Sequence, residues 1–130
     1  MVENHELKRL VDGESASHPL NRERLTEARD SFPSDEVFLD LAETFRVLGA
    51  ESRLKILLAL QAGELCVCEL SELLGIERSA VSQQLRILRQ TRLVRVRRQG
   101  KQNFYALDDF HVLGLLNQGL DHVMEERTSD

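Results

Sequence analysis

Apolar residues recur along most of this chain at helical spacing, and polar or glycine-bearing gaps mark where each run ends. Leu25 and Ala28 give a thin stripe that predicts a short helix over 22–31, closed by Pro33. Ser34 then stands as a cap, with Asp35 and Glu36 complementing the dipole of the next helix. In that helix Val37, Leu41, Phe45 and Leu48 share one face and read as a core stripe, until Gly49 stops it. A further helix over 51–61 is apolar at Leu54, Ile56, Leu57, Leu58 and Leu60 and stops at Gly63.

The next segment has the rhythm of a helix–turn–helix. Residues 66–74 predict a short amphipathic helix with Val67, Leu70 and Leu74 inward, and Gly75 supplies the turn. Ser79 is expected to cap a second helix over 80–90 that buries Val81, Leu85 and Leu88. The period then shortens to two. Leu93–Arg97 alternates, Phe104–Leu107 forms a second strand, and residues 98–103 join them as the basic, polar tip of a β-hairpin. A last helix over 108–126 carries Val112, Leu113, Leu115, Leu116, Leu120 and Val123, enough apolar surface to bury a partner helix. The predicted fold is mostly α with a small β-hairpin, a winged helix-turn-helix that forms a homodimer through its terminal helices. Residues 1–20 read as a mobile polar arm, 21–126 as one domain and 127–130 as a disordered tail.

Charge changes the picture. The net value of −5 at first argues against nucleic acid. Its distribution reverses that: residues 78–107 carry eight basic side chains and no acid, while the flanks hold all 22 acids. Such a block is the electrostatic footprint of a phosphate-binding surface. On the outward face of helix 80–90 lie Ser82, Gln83, Gln84, Arg86 and Arg89, beside Ser79 at its start. Glutamine reads adenine in the major groove, serine contacts several bases, and arginine holds guanine or phosphate. Arg97, Arg98 and Lys101 of the hairpin are placed for backbone phosphate or the minor groove.

Metal-ligand residue types then gather on the last helix, as Asp109, His111, His122 and Glu125. Eleven residues are about three helical turns, so both imidazoles point the same way to within about 20°. They nevertheless lie about 16 Å apart along the axis, and zinc binds nitrogen at about 2 Å. One helix cannot bring both to one ion. Two antiparallel copies do, placing Asp109 and His111 of one chain against His122 and Glu125 of the other, with two equivalent sites per dimer. The plainer alternative is that Asp108 or Asp109 merely caps the helix.

Two cysteines one residue apart, Cys66 and Cys68, cannot staple distant elements. They point to thiols kept reduced, in a cytoplasmic setting, for metal or redox chemistry. No apolar stretch reaches the length of a membrane span, and the polar N-terminus does not read as a signal peptide.

The stretches 45–54 (FRVLGAESRL), 64–70 (ELCVCEL) and 79–86 (SAVSQQLR), with the ligand spacing over 109–125, resemble the ArsR–SmtB family of metal-responsive winged-helix repressors. The resemblance covers residues 38–126. It implies a homodimer that binds palindromic, double-stranded operator DNA in its apo form and dissociates when metal binds, with no small-molecule substrate. It also implies two kinds of site. Asp109, His111, His122 and Glu125 match an interface site at every position, and two imidazoles with two carboxylates suit Zn(II). Cys66, Cys68 and Glu69 match a thiolate site that is completed from the N-terminal arm. Such arms usually offer a cysteine; this one has His18 and, less favourably placed, His5. Zn(II), Cd(II) or Pb(II) would suit that second site. Ser71 stands where arsenic-responsive members carry a third thiol, which disfavours trivalent arsenic. On a regular helix Cys66 and Cys68 would diverge by about 200°, so both reach one ion only near an irregular helix start.

Two rivals use the same residues. A thiol redox switch at Cys66 and Cys68 would need a strained disulfide and leaves the last helix unexplained. A metal buffer without DNA regulation leaves the basic block idle. An enzyme is not expected, because four protein ligands leave a metal no open position and no nucleophile–base arrangement stands out.

Overall fold

The computed structural model describes residues 18–128. His5, most of the expected arm and the last two residues of the expected tail lie outside them. The chain divides into two units, 1–37 and 38–130. In the first, helix α1 (Arg22–Asp30) is capped by Asn21, whose side-chain oxygen accepts from the Arg24 N–H at 3.0 Å. Helix α2 (Asp35–Leu48) begins where Ser34 Oγ accepts from the Val37 N–H at 3.3 Å, the cap the sequence predicts.

The second unit is built around a helical core. Helix α3 (Glu51–Ala59) runs into a 3₁₀ turn (Leu60–Ala62). A two-residue strand β1 (Leu65–Cys66) leads directly into α4 (Val67–Leu74). Gly75 follows at φ +69°, the left-handed conformation that glycine adopts without a Cβ penalty. Helix α5 (Arg78–Gln90) comes next, then strands β2 (Val94–Gln99) and β3 (Gln102–Leu107), and finally α6 (Phe110–Thr128). The amphipathic pattern of α5 decides its seat. Val81, Leu85 and Leu88 are fully buried, each stabilising the fold by about 1.5–3 kcal/mol, and they meet Val47, Ile56, Leu57, Leu70 and Val94 in one core.

Four expectations are corrected. The cap of α5 is Glu77, whose side chain makes no capping bond, and Ser79 lies inside the first turn. The backbone turns out of the extended region two residues earlier than the serine signal suggests. The joining segment of the hairpin is not 98–103: pairing continues to Gln99↔Gln102, leaving Gly100 and Lys101 as a two-residue turn with Gly100 at φ +62°. The hairpin also gains a third strand, in the order β1-β3-β2, with Leu65 opposite Tyr105 and Cys66 opposite Phe104. A two-residue strand is too short to show alternation.

The fourth correction concerns α2. Of its expected core stripe only Leu48 is buried; Val37, Leu41 and Phe45 are about half exposed. Leu115, Leu120, Val123 and Met124 of α6 are likewise exposed, while Val112 and Leu116 are buried. Periodicity reports that a face must be covered, not which chain covers it.

Helix α5 ends in a Schellman motif: the Leu93 N–H donates to the Leu88 carbonyl at 2.9 Å and the Arg92 N–H to the Arg89 carbonyl at 3.0 Å. Arg92 itself sits at φ +60°, a left-handed conformation usually left to glycine. Arg92→Gly should therefore raise the melting temperature by a few degrees, about 0.5–1 kcal/mol. Arg92→Val, with the same loss of charge, should lower it. Thermal melts of both variants check this, and equal shifts would contradict the assigned cap.

Candidate functional site

Two surfaces carry the candidate chemistry. The first is α5 with the hairpin. Because Val81, Leu85 and Leu88 take the buried stripe, Ser79, Ser82, Gln83, Arg86 and Arg89 are all exposed. Gln84 differs. It is half-buried, and its Oε1 accepts from Arg53 Nη1 at 3.0 Å. Arg53 Nε also donates to the Val47 carbonyl at 2.6 Å, so one guanidinium ties the end of α2 to the outward face of α5. The sequence reading missed Arg53; the two residues stand 31 positions apart, with no local pattern to join them.

On the hairpin, Arg98 and Lys101 are exposed near the tip. Arg97 is engaged: its Nη2 lies 2.7 Å from Glu64 Oε1, and its guanidinium sits 5.2 Å from the centre of the Phe104 ring. The hydrogen bond from Arg97 holds the Glu64 carboxyl below its ordinary range and raises the guanidinium's own pKa. The basic block thus has no acid within it, yet borrows one from 33 residues earlier. Glu64 immediately precedes β1, whose pairing with β3 brings it to the wing.

The second surface is α6 with the residue before it. Asp109 Oδ1 accepts from the Val112 N–H at 3.1 Å, so Asp109 does cap the helix. That bond, with help from His111, holds its carboxyl below the usual range. The cap uses Oδ1 alone, and Oδ2 lies 3.4 Å from His111 Nδ1. Two corners of a tetrahedron with bonds of about 2.0–2.1 Å are about 3.3 Å apart, so this pair is spaced as two ligands of one zinc would be. His122 and Glu125 are exposed farther along the same helix. Among the described residues no three His, Cys, Asp or Glu side chains converge within one protomer.

At the thiol segment, Cys66 is not on a regular helix. It occupies the N-cap of α4 with extended backbone (φ −95°, ψ 172°), while Cys68 lies in the first turn. This is the irregular start that two thiols one residue apart need to face a common ion. Cys66 is buried, Cys68 is partly exposed, and both are free thiols. Glu69 reaches back to accept from the Cys66 N–H at 3.0 Å, the carboxylate arm of a capping box. His18 is exposed, and its Nδ1 lies 3.2 Å from the Pro19 carbonyl oxygen.

A basic amphipathic helix seated by a helix–turn–helix core and followed by a three-stranded wing defines a winged-helix DNA-binding protein. Comparison with known proteins gives the family. The model described as "Bacterial regulatory protein, arsR family" matches residues 50–96. The chain is 47% identical over 85 residues to a transcriptional repressor SmtB homolog of Synechocystis, covering 65% of this chain and 64% of that protein. It is 43% identical to the HTH-type transcriptional regulator NmtR of Mycobacterium tuberculosis, covering 72% of this chain and 79% of the relative. The crystal structure of the antimony-specific transcriptional repressor AntR is similar in fold, with a TM-score of 0.65 and 34% identity over 72% of this chain and 86% of that one. The chain belongs to the ArsR family of DNA-binding transcriptional regulators and is not an enzyme. Among the described residues no helix is long and apolar enough to cross a membrane.

If Arg97 is a phosphate contact, Glu64 competes with DNA for its guanidinium. Glu64→Gln should tighten DNA binding several-fold and steepen the salt dependence of log K by about one. A salt titration of duplex binding reads both, and an unchanged slope would show that Arg97 contributes no phosphate contact.

Proposed function

We propose that this protein is a metal-sensing repressor that holds a palindromic operator as an apo homodimer and releases it when a divalent metal, zinc foremost, binds between the last helices. The observation that carries the reading is the Asp109–His111 pair, preset at 3.4 Å on the surface, with His122 and Glu125 farther along the same helix. Two imidazoles and two carboxylates, two from each subunit, match zinc's preference for a closed four-coordinate site, and zinc there would supply a tie between subunits. The half-exposed faces of α2 and α6 support dimerisation through the terminal helices, since leaving them in water forfeits burial that a second copy recovers. Similarity to an antimony-specific repressor supports a metal response without fixing the metal.

The residues act in sequence along the chain. Ser79, Ser82, Gln83, Gln84, Arg86 and Arg89 face the major groove, and Arg97, Arg98 and Lys101 hold the flanking backbone. A dimer reading two half-sites needs its α5 helices about 34 Å apart, so a ligand set that fixes the angle between paired α6 helices displaces them. His122, once a ligand, keeps a second ring N–H for an acceptor; the family resemblance implies the backbone carbonyl near Arg92, where α5 ends. Linkage then requires DNA to weaken metal binding by the factor by which metal weakens DNA binding. A second site at Cys66, Cys68 and Glu69, completed by His18 and suited to cadmium or lead, is proposed on the irregular start of α4.

Zinc titration of the reduced dimer on a selected operator duplex tests the reading, with His111→Ala/His122→Ala and Cys66→Ser/Cys68→Ser run alongside. The histidine variant should bind DNA as tightly as the parent without metal and lose release by zinc. Release lost only in the cysteine variant would move the sensor to the thiols. Release by peroxide but not by metal would replace the metal reading with a redox one.

A further inference from the structure

Gln84 is the one residue of the α5 outward set whose side chain is already committed to another part of the protein. A free glutamine amide is ambivalent: its oxygen accepts and its nitrogen donates, which is why it pairs bidentately with adenine N6 and N7. Arg53 removes that ambivalence. A guanidinium offers donors and no acceptor, so only the oxygen of Gln84 satisfies it, and the orientation of the amide follows from chemistry rather than choice. Arg53 is itself fixed by its 2.6 Å bond to the Val47 carbonyl, on a fully buried residue at the end of α2. Among the described residues no buried side-chain nitrogen or oxygen lacks a partner, so the Gln84 Nε2 group, which bonds to nothing here, reaches solvent.

We propose that Arg53 is a specificity-positioning residue: by holding Gln84 Oε1 it presents Gln84 to DNA as a donor only, and so sets a preference for guanine over adenine at one position of each half-site. Guanine shows two major-groove acceptors, N7 and O6, to the two hydrogens of Nε2. Adenine offers one acceptor and a donor that now meets no oxygen, and cytosine offers only a donor. Neighbouring Gln83 is exposed and untethered, so it keeps the adenine-reading geometry. The two consecutive glutamines thus have different readouts. This inference rests on the proposed seating of α5 in the major groove.

The test is selection from randomised duplexes followed by binding to single-base variants, for the full-length apo dimer and two substitutions. In the parent, one position per half-site should favour guanine over adenine by about tenfold, within the range of a good bidentate contact. Arg53→Met frees the amide and should shift that position toward adenine, leaving the preferences at other positions in place; a merely structural role would lower affinity at every position alike. Gln84→Glu, which keeps the tie to Arg53 without a free donor, should erase the guanine preference there. It decides the matter if Arg53→Met does not fold. Preferences unchanged in the folded variants would overturn the proposal while leaving operator binding standing. No sequence preference in the parent would overturn both.

Discussion

The burial of one stripe of α5 is the constraint from which the DNA-facing surface follows. With Val81, Leu85 and Leu88 sealed in the core, the helix has no rotational freedom left, and the polar and basic positions must face outward. Each later feature refines that seat. The Schellman end at Arg92 turns the chain into the wing, the three-stranded sheet holds the wing, and Arg53 pins the outward face to the end of α2. Local geometry and electrostatics agree here: the face that hydrophobic burial excludes is the one that carries the positive charge.

A second constraint acts at the outer helices. This chain offers more apolar helical surface than it covers, on α2 at Val37, Leu41 and Phe45 and on α6 at Leu115, Leu120 and Val123. The same α6 carries ligand types too far apart to serve one ion within one chain. A shortage of cover and a shortage of ligands have one common remedy, a second copy. In that arrangement the paired α6 helices and α5 are joined through one core, since Val112 and Leu116 of α6 belong to the same cluster as Leu85 and Leu88.

How much was legible in the sequence follows from whether each interaction is local. The periodic stripes located the helices to within a few residues, and the α5 stripe named its buried residues correctly because all its contacts lie within one chain. The α2 stripe predicts core on the same periodicity and is half exposed, since a 3.6-residue period is blind to the identity of the covering chain. Asp109 was legible both as a cap and as a ligand type; the structure shows Oδ1 engaged in the cap and Oδ2 lying beside His111. The extended backbone at Cys66 was not legible, because β1 owes its existence to pairing with Tyr105 and Phe104 far along the chain. Arg53–Gln84 and Glu64–Arg97 escaped notice on the same ground: each joins residues more than 30 positions apart. Reading the basic block as free of acids was correct for the sequence and incomplete for the surface.

The sharing of ligands between subunits is the claim on which the account turns, and complementation between two damaged chains tests it most directly. In a background with Cys66→Ser and Cys68→Ser, one chain would carry Asp109→Ala and His111→Ala, and the other His122→Ala and Glu125→Ala. Differently tagged, the heterodimer is purified and its bound zinc counted. Neither variant homodimer should hold zinc at the interface, whereas the heterodimer should recover one ion, half the complement of the parent dimer. A heterodimer that binds none, beside a parent dimer that binds two, would contradict a site built from both chains.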